Sequence, residues 1–138
     1  MAGRRSVTPL IALDAVVVDT ETTGLDPRKA WIVEIGAVRL VAGRLQPNAA
    51  FRRLLHPGEP IPKAAIGIHG IDDAVVADAP AFADIWPELS SLIGDAVVIG
   101  HALGFDLAVL KRECERAGIG WTPPAHSRYA ASCRSGRA

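Results

Sequence analysis

Apolar and polar positions divide the chain into runs of two periods. "DAVVVDTET" (14–22) is short, continuous and β-branched, the pattern of a strand buried on both faces. Gly24 and Pro27 break it within "GLDPRK". "AWIVEIGAVRLVAG" (30–43), rich in Val and Ile and ending at Gly43, predicts a second strand. "AAFRRLLHPG" (49–58) predicts a third, closed by Pro57 and Gly58. Three strands in succession predict an antiparallel meander.

The period then changes. "PKAAIGIHGI" (62–71) suits either a short helix or an irregular connection. "APAFADIWPELSSLIG" (79–94) has apolar residues at 82, 85, 86, 89 and 92, a helical spacing, with Pro87 as a candidate kink. "DAVVIGH" (95–101) predicts another buried strand. "GFDLAVLKRECERAG" (104–118) predicts an amphipathic helix with Phe105, Ala108, Val109 and Cys114 inward and Gly118 as its C-terminal cap. The order is β-β-β-α-β-α, without an internal repeat. After Trp121, "PPAHSRYAASCRSGRA" has little apolar periodicity, three arginines and no acidic residue, and does not continue an α/β core.

Composition narrows the class. At 138 residues, 49% of them apolar, the chain is one globular domain and not a disordered segment. Its 15 basic residues balance 15 acidic ones, so the net charge does not steer it toward nucleic acid, although a local basic patch is compatible with that balance. Cys114 and Cys133 have neither disulfide-framework nor zinc-site spacing, and predict a reducing cytoplasm. Arg4 and Arg5 precede "VTPLIALDAVVV", but Asp14 interrupts the apolar stretch and no small-residue cleavage site follows, which argues against a signal peptide. No apolar run approaches membrane-spanning length. A soluble, cytoplasmic protein with no membrane partner is expected.

The chemistry gathers at three places. Residues i and i+2 of a strand face the same way, so Asp19 and Glu21 project to one side at the carboxyl end of the first strand. Two adjacent carboxylates repel, and each protonates or recruits a cation; hard cations such as Mg²⁺ favour oxygen ligands. Thr22, Thr23 and Gly24 add hydroxyls and an accessible backbone beside them. The alternative is a solvated strand end leading into a turn. In "VVIGHALGFDLAVL" (97–110), His101 leaves a strand and Asp106 starts a helix, where it serves either a site or the helix dipole. In "IGIHGI" (66–71), His69 is either a site residue or a buried histidine satisfied by backbone.

Together, D-x-E-T-T-G-L (19–25), I-H-G-I (68–71) and G-H-x-x-x-F-D (100–106) resemble the motifs of the DEDDh 3′–5′ exonucleases. The likeness is strongest to the branch containing the proofreading (epsilon) subunits of bacterial DNA polymerase III. It runs from about residue 12 to about 124, leaving 1–11 as an N-terminal extension. The resemblance implies an α/β, ribonuclease H-like fold: a mixed β-sheet flanked by helices, here missing its last part. It implies Asp19, Glu21 and Asp106 as catalytic metal ligands. Thr22, Thr23, Gly24 and Leu25 would cradle the 3′-terminal nucleotide, with Ile68, His69, His101 and Phe105 against it. Two Mg²⁺ or Mn²⁺ ions about 3.5–4 Å apart would clamp the attacking water and the leaving oxygen. The implied partner is a single-stranded 3′ end, DNA in preference to RNA, beside polymerase subunits, with release of nucleoside 5′-monophosphates.

Two departures stand out. Ala102 replaces the Asn usual after the G-H pair. The family's third motif, a histidine followed five residues later by aspartate, has no match: His126 is the only histidine after His101, and no Asp or Glu follows Glu115. Relatives continue with a segment like P-R-T-L-D-T. With one base removed after the proline, codons for "PAHSRYA" read Pro-Arg-Thr-Leu-Asp-Thr; CAC-TCT-CGA-TAC, for example, falls within CGC-ACT-CTC-GAT-AC. Residues 125–138 are accordingly read as a non-family, frameshifted tail of a truncated exonuclease, the alternative being a chance match of degenerate codons. Weak or absent hydrolysis is expected, and a non-catalytic nucleotide- or single-strand-binding module is the competing function.

Overall fold

Val16 and Val18 are fully buried in β1 (Ala15–Thr22), the strand expected from the first apolar run. The computed structural model describes residues 14–124. β2 (Ile32–Val41) and β3 (Arg44–Leu54) follow as an antiparallel hairpin, and β2 also pairs antiparallel with β1. The meander therefore forms as expected, but its third strand begins at Arg44 and not at 49.

The reason is the turn. Ala42 and Gly43 both have positive φ, 49° and 76°, as a two-residue hairpin turn of matching twist requires. β3 then bulges: Arg39 pairs with Gln46, but the adjacent Val38 pairs with Ala50. Pro47, which has no N–H for the ladder, falls in the bulge on an edge strand.

α1 (Lys63–His69) is a short helix, settling the open choice for that segment; it ends at Gly70, whose φ of 73° favours glycine. α2 spans Phe82–Ile93, with Pro87 inside it. It buries Phe82, Ile85, Trp86, Leu89 and Ile93, while Leu92 is only partly covered. β4 (Val97–Ile99) pairs parallel with β1, aligning Val17 with Ile99. The four-stranded sheet has the order β3-β2-β1-β4 and is mixed.

α3 (Leu103–Arg116) closes the described fold. Its C-terminus is a Schellman-type cap: Gly118 has φ 69° and Ile119 N–H donates to Cys114 O (2.8 Å). The buried row is Asp106, Val109, Leu110, Glu113 and Cys114, a helical spacing that includes two carboxylates. Phe105, expected inward, is half-buried and packs on the edge of the main core. That core joins β1, β2, α2, β4 and α3; a smaller cluster of Val33, Ile61, Ala65, Ile71 and Val76 lies beside α1. Among the described residues, no helix is long and apolar enough to cross a membrane.

Candidate active site

β1 and β4 run parallel, so their carboxyl ends lie side by side, the usual place for a site in a sheet of this kind. β1 ends in Asp19, Thr20, Glu21 and Thr22. Asp19 pairs in the ladder with Gly36 and Glu21 with Glu34; the register then shifts, and Thr22 pairs with Ile32. The bulge bends the strand as it leaves the sheet. Glu21 and Glu34 face each other as like charges, but Glu34 turns to Arg52 at 3.1 Å. Among the described residues, the carboxylates of Asp19 and Glu21 make no hydrogen bond or ion pair.

The turn after β1 is tightly tied. Thr22 Oγ1 donates to Gly24 O (2.7 Å). Thr23 is buried; its N–H donates to Trp31 O (2.9 Å) and its hydroxyl to Glu59 Oε1 (2.8 Å), while accepting from Trp31 N–H (2.9 Å). A Cβ placed on Gly24 would meet nothing within 4 Å, so packing does not demand glycine here and the backbone is open to a ligand. Leu25 is 85% exposed.

His69 joins this turn to α1. Its Nδ1 accepts from Ile71 N–H (3.1 Å), so Nε2 carries the proton and donates to Thr22 O (3.0 Å). Both ring nitrogens of this half-buried histidine are thus partnered by backbone groups, which hold it against the threonine turn. Ile68 beside it is 74% exposed.

Asp106, in the first turn of α3, is 3% exposed. Its Oδ1 accepts from Thr20 Oγ1 (2.7 Å). A Cβ on Gly100 would lie 3.2 Å from Asp106 Oδ2 and 3.0 Å from Val18 O, so this glycine makes room for the carboxylate beside β1. Burial pushes the Asp106 carboxyl above its ordinary value; the Thr20 hydroxyl pulls it back, the Asp19 charge raises it again, and His101 lowers it. His101 itself is exposed, beyond the end of β4.

The expected cage of Asp19, Glu21 and Asp106 is not drawn together: among the described residues, no group of three or more His, Cys, Asp or Glu side chains is arranged to hold a metal ion. Strand alternation sends Thr20 away from Asp19 and Glu21, and Asp106 is bonded to Thr20. Mutual repulsion also opposes convergence of three carboxylates. In donor chemistry the set does fit a hard divalent ion, with two uncommitted carboxylates and a third that burial disfavours as an anion. Residues 1–11, the tail from 125 and His126 lie outside the described residues.

Four further participants, Thr20, Glu59, Trp31 and Glu113, are not named by the motifs. Thr20 has no sequence signal, because alternation points it away from the acids. Glu59 and Trp31 reach the turn through tertiary contacts. Glu113 lies on the same helical stripe as Asp106, and that spacing is visible in the sequence.

The family model described as Exonuclease (RNase_T) matches residues 16–134. A DNA polymerase III subunit epsilon-like protein of Rhodobacter capsulatus is 46% identical over 107 residues, which are 77% of this chain and 15% of that protein. A DNA polymerase III subunit epsilon of Rickettsia conorii is 37% identical over 103 residues, 74% of this chain and 44% of that protein. The chain thus spans less than half the length of these curated relatives. Among solved structures, exonuclease X in complex with 5′-overhanging duplex DNA matches at TM-score 0.60 and 34% identity, covering 69% of this chain and 52% of that one. E. coli exonuclease I in complex with a dT13 oligonucleotide matches at TM-score 0.70 and 16% identity, covering 87% of this chain and 26% of that one. That likeness shows the fold, a ribonuclease H-like mixed sheet flanked by helices.

Proposed function

The chain belongs to the exonuclease family, and from that premise we propose that it is a metal-dependent 3′–5′ exonuclease domain that releases nucleoside 5′-monophosphates from single-stranded DNA ends. One observation carries the reading. Two uncommitted carboxylates, Asp19 and Glu21, lie near the end of β1 with an open Thr-Thr-Gly turn after them, and the buried Asp106, which feels the Asp19 charge, is bonded to Thr20 of the same strand. A solvated strand end does not account for an acid buried against that strand, with a glycine making room for it.

Asp19, Glu21 and Asp106 would hold two Mg²⁺ or Mn²⁺ ions, which would neutralise the phosphate and activate water. The chain supplies the rest of the seat. Thr22 to Leu25 offer backbone and an exposed apolar side chain to the terminal nucleotide, and Ile68 offers a second apolar surface. His69 fixes the turn through Thr22 O, while His101 and Phe105 border Asp106. DNA is favoured as substrate because the similar exonucleases X and I are described with DNA. The epsilon-like relatives support a place beside DNA polymerase.

Hydrolysis by these 138 residues is slow in this reading, because no acidic residue follows Glu115 and the family's histidine and fourth carboxylate have no match. General-base assistance alone is worth about 10²–10⁴-fold. The test uses 5′-labelled single-stranded DNA with Mn²⁺. The expected result is stepwise shortening from the 3′ end that stops with chelator and in Asp19→Ala. Shortening that persists equally in Asp19→Ala contradicts the assignment. Metal-dependent nucleotide binding without shortening makes the chain a binding module.

A further inference from the structure

The C-terminal half of α3 grips the segment that follows the threonine turn. Glu113, 3% exposed, accepts the Ile32 N–H on Oε1 (2.9 Å) at the start of β2. Arg116 lies 3.7 Å from the same oxygen and donates to Ala30 O (2.8 Å) and Lys29 O (3.0 Å). Its guanidinium carbon also sits 3.8 Å from the centroid of the Trp31 ring. Gly58 also lies against that ring: a Cβ there would lie 2.4 Å from the indole. Trp31 in turn exchanges two hydrogen bonds with Thr23, whose hydroxyl reaches Glu59. The path from α3 to the turn is thus continuous: Glu113 and Arg116, then Lys29 to Ile32, then Thr23.

This arrangement is costly to build. Burial pushes the Glu113 carboxyl up, with the Ile32 N–H and Arg116 pulling it back. An apolar residue in the stripe of Val109, Leu110 and Cys114 would pack without that penalty. The carboxylate instead fixes one main-chain position.

We propose that Glu113 and Arg116 are positioning residues for the nucleotide seat, holding Thr22–Leu25 in register with Asp106 because one helix carries both. Asp106 occupies the first turn of α3 and the clamp occupies its last turns, so the helix sets the distance between the acidic site and the turn. The role rests on the exonuclease reading of that turn.

The test compares Glu113→Leu, Arg116→Met and the conservative Glu113→Gln, which keeps an oxygen for the Ile32 N–H. Amide hydrogen exchange reads the turn without any nucleotide. Titration with thymidine 5′-monophosphate in Mn²⁺ reads the seat. Glu113→Leu and Arg116→Met should speed exchange at Thr23 and Ile32, with Ala37 and Phe51 in the β2–β3 ladder unchanged. They should also weaken nucleotide binding on the order of tenfold, the scale of one charged hydrogen bond. Glu113→Gln should stay near the parent in both readouts. Unchanged exchange at Thr23, or loosening spread equally over β2 and β3, overturns the clamp. Local loosening without loss of affinity overturns its role in positioning. A parent chain that binds no thymidine monophosphate overturns the functional reading and this role with it; the exchange pattern tells that failure from failure of the clamp.

Discussion

The Thr20 hydroxyl donates to the Asp106 carboxylate across 2.7 Å, joining the end of β1 to the first turn of α3. It is the one side-chain hydrogen bond to this buried acid among the described residues. A hydrogen bond to a charged group is worth about 1.5–3 kcal/mol. Thr20→Val should therefore lower stability by roughly that amount, while Thr20→Ser, which keeps the hydroxyl, should recover most of it. Urea unfolding of the three proteins measures the difference.

Asp106 gives a pH-dependent prediction. Its folded value is raised, chiefly by burial, so the native state holds the proton more tightly than the unfolded state. Stability from this group is present below the ordinary carboxylate value and is lost as pH rises through the raised one. Asp106→Asn should match the parent in acid and melt higher at neutral pH. Saturating Mn²⁺ should raise the melting temperature of the parent and leave the variant unmoved. Calorimetry at several pH values, with and without the ion, checks both statements.

Gly58 lies against the Trp31 ring. Gly58→Ala adds a methyl group where the indole, stacked on Arg116, has no room to receive it. Overpacking of this kind costs about 1–3 kcal/mol. The expected signs are a lower denaturation midpoint and a change in Trp31 fluorescence.

Cys114 is 1% exposed, and burial, with Glu113 and Glu115 nearby, pushes its thiol up to about 12. Reactivity needs the thiolate. In a Cys133→Ser background, a thiol reagent at pH 8 should therefore modify Cys114 only as fast as the protein unfolds. Rapid modification of the folded protein would contradict the packing of α3.

The meander and both long helices were legible because their signals are local: β-branched runs, helical periodicity and glycine caps. The start of β3 was not, since Pro47 looks like a boundary until the bulge takes it out of the ladder. For the candidate site, what is legible in the sequence is that the motifs name Asp19, Glu21 and Asp106 as candidates. How those residues stand to one another is not. Thr20 holds Asp106 by a contact between residues 86 apart in the chain, and Glu113 reaches Ile32 across 81. Such pairings depend on how β1, β2 and α3 pack, and no short-range pattern encodes them.

The most direct test of the central claim is a Mn²⁺ titration of the parent chain and of Asp19→Ala, followed by electron paramagnetic resonance and competed with Mg²⁺. The account predicts saturable binding by the parent, displaced by Mg²⁺ and weakened at least about tenfold in the variant, the scale of 1.4 kcal/mol. Equal binding by the two proteins, or none by either, would contradict it.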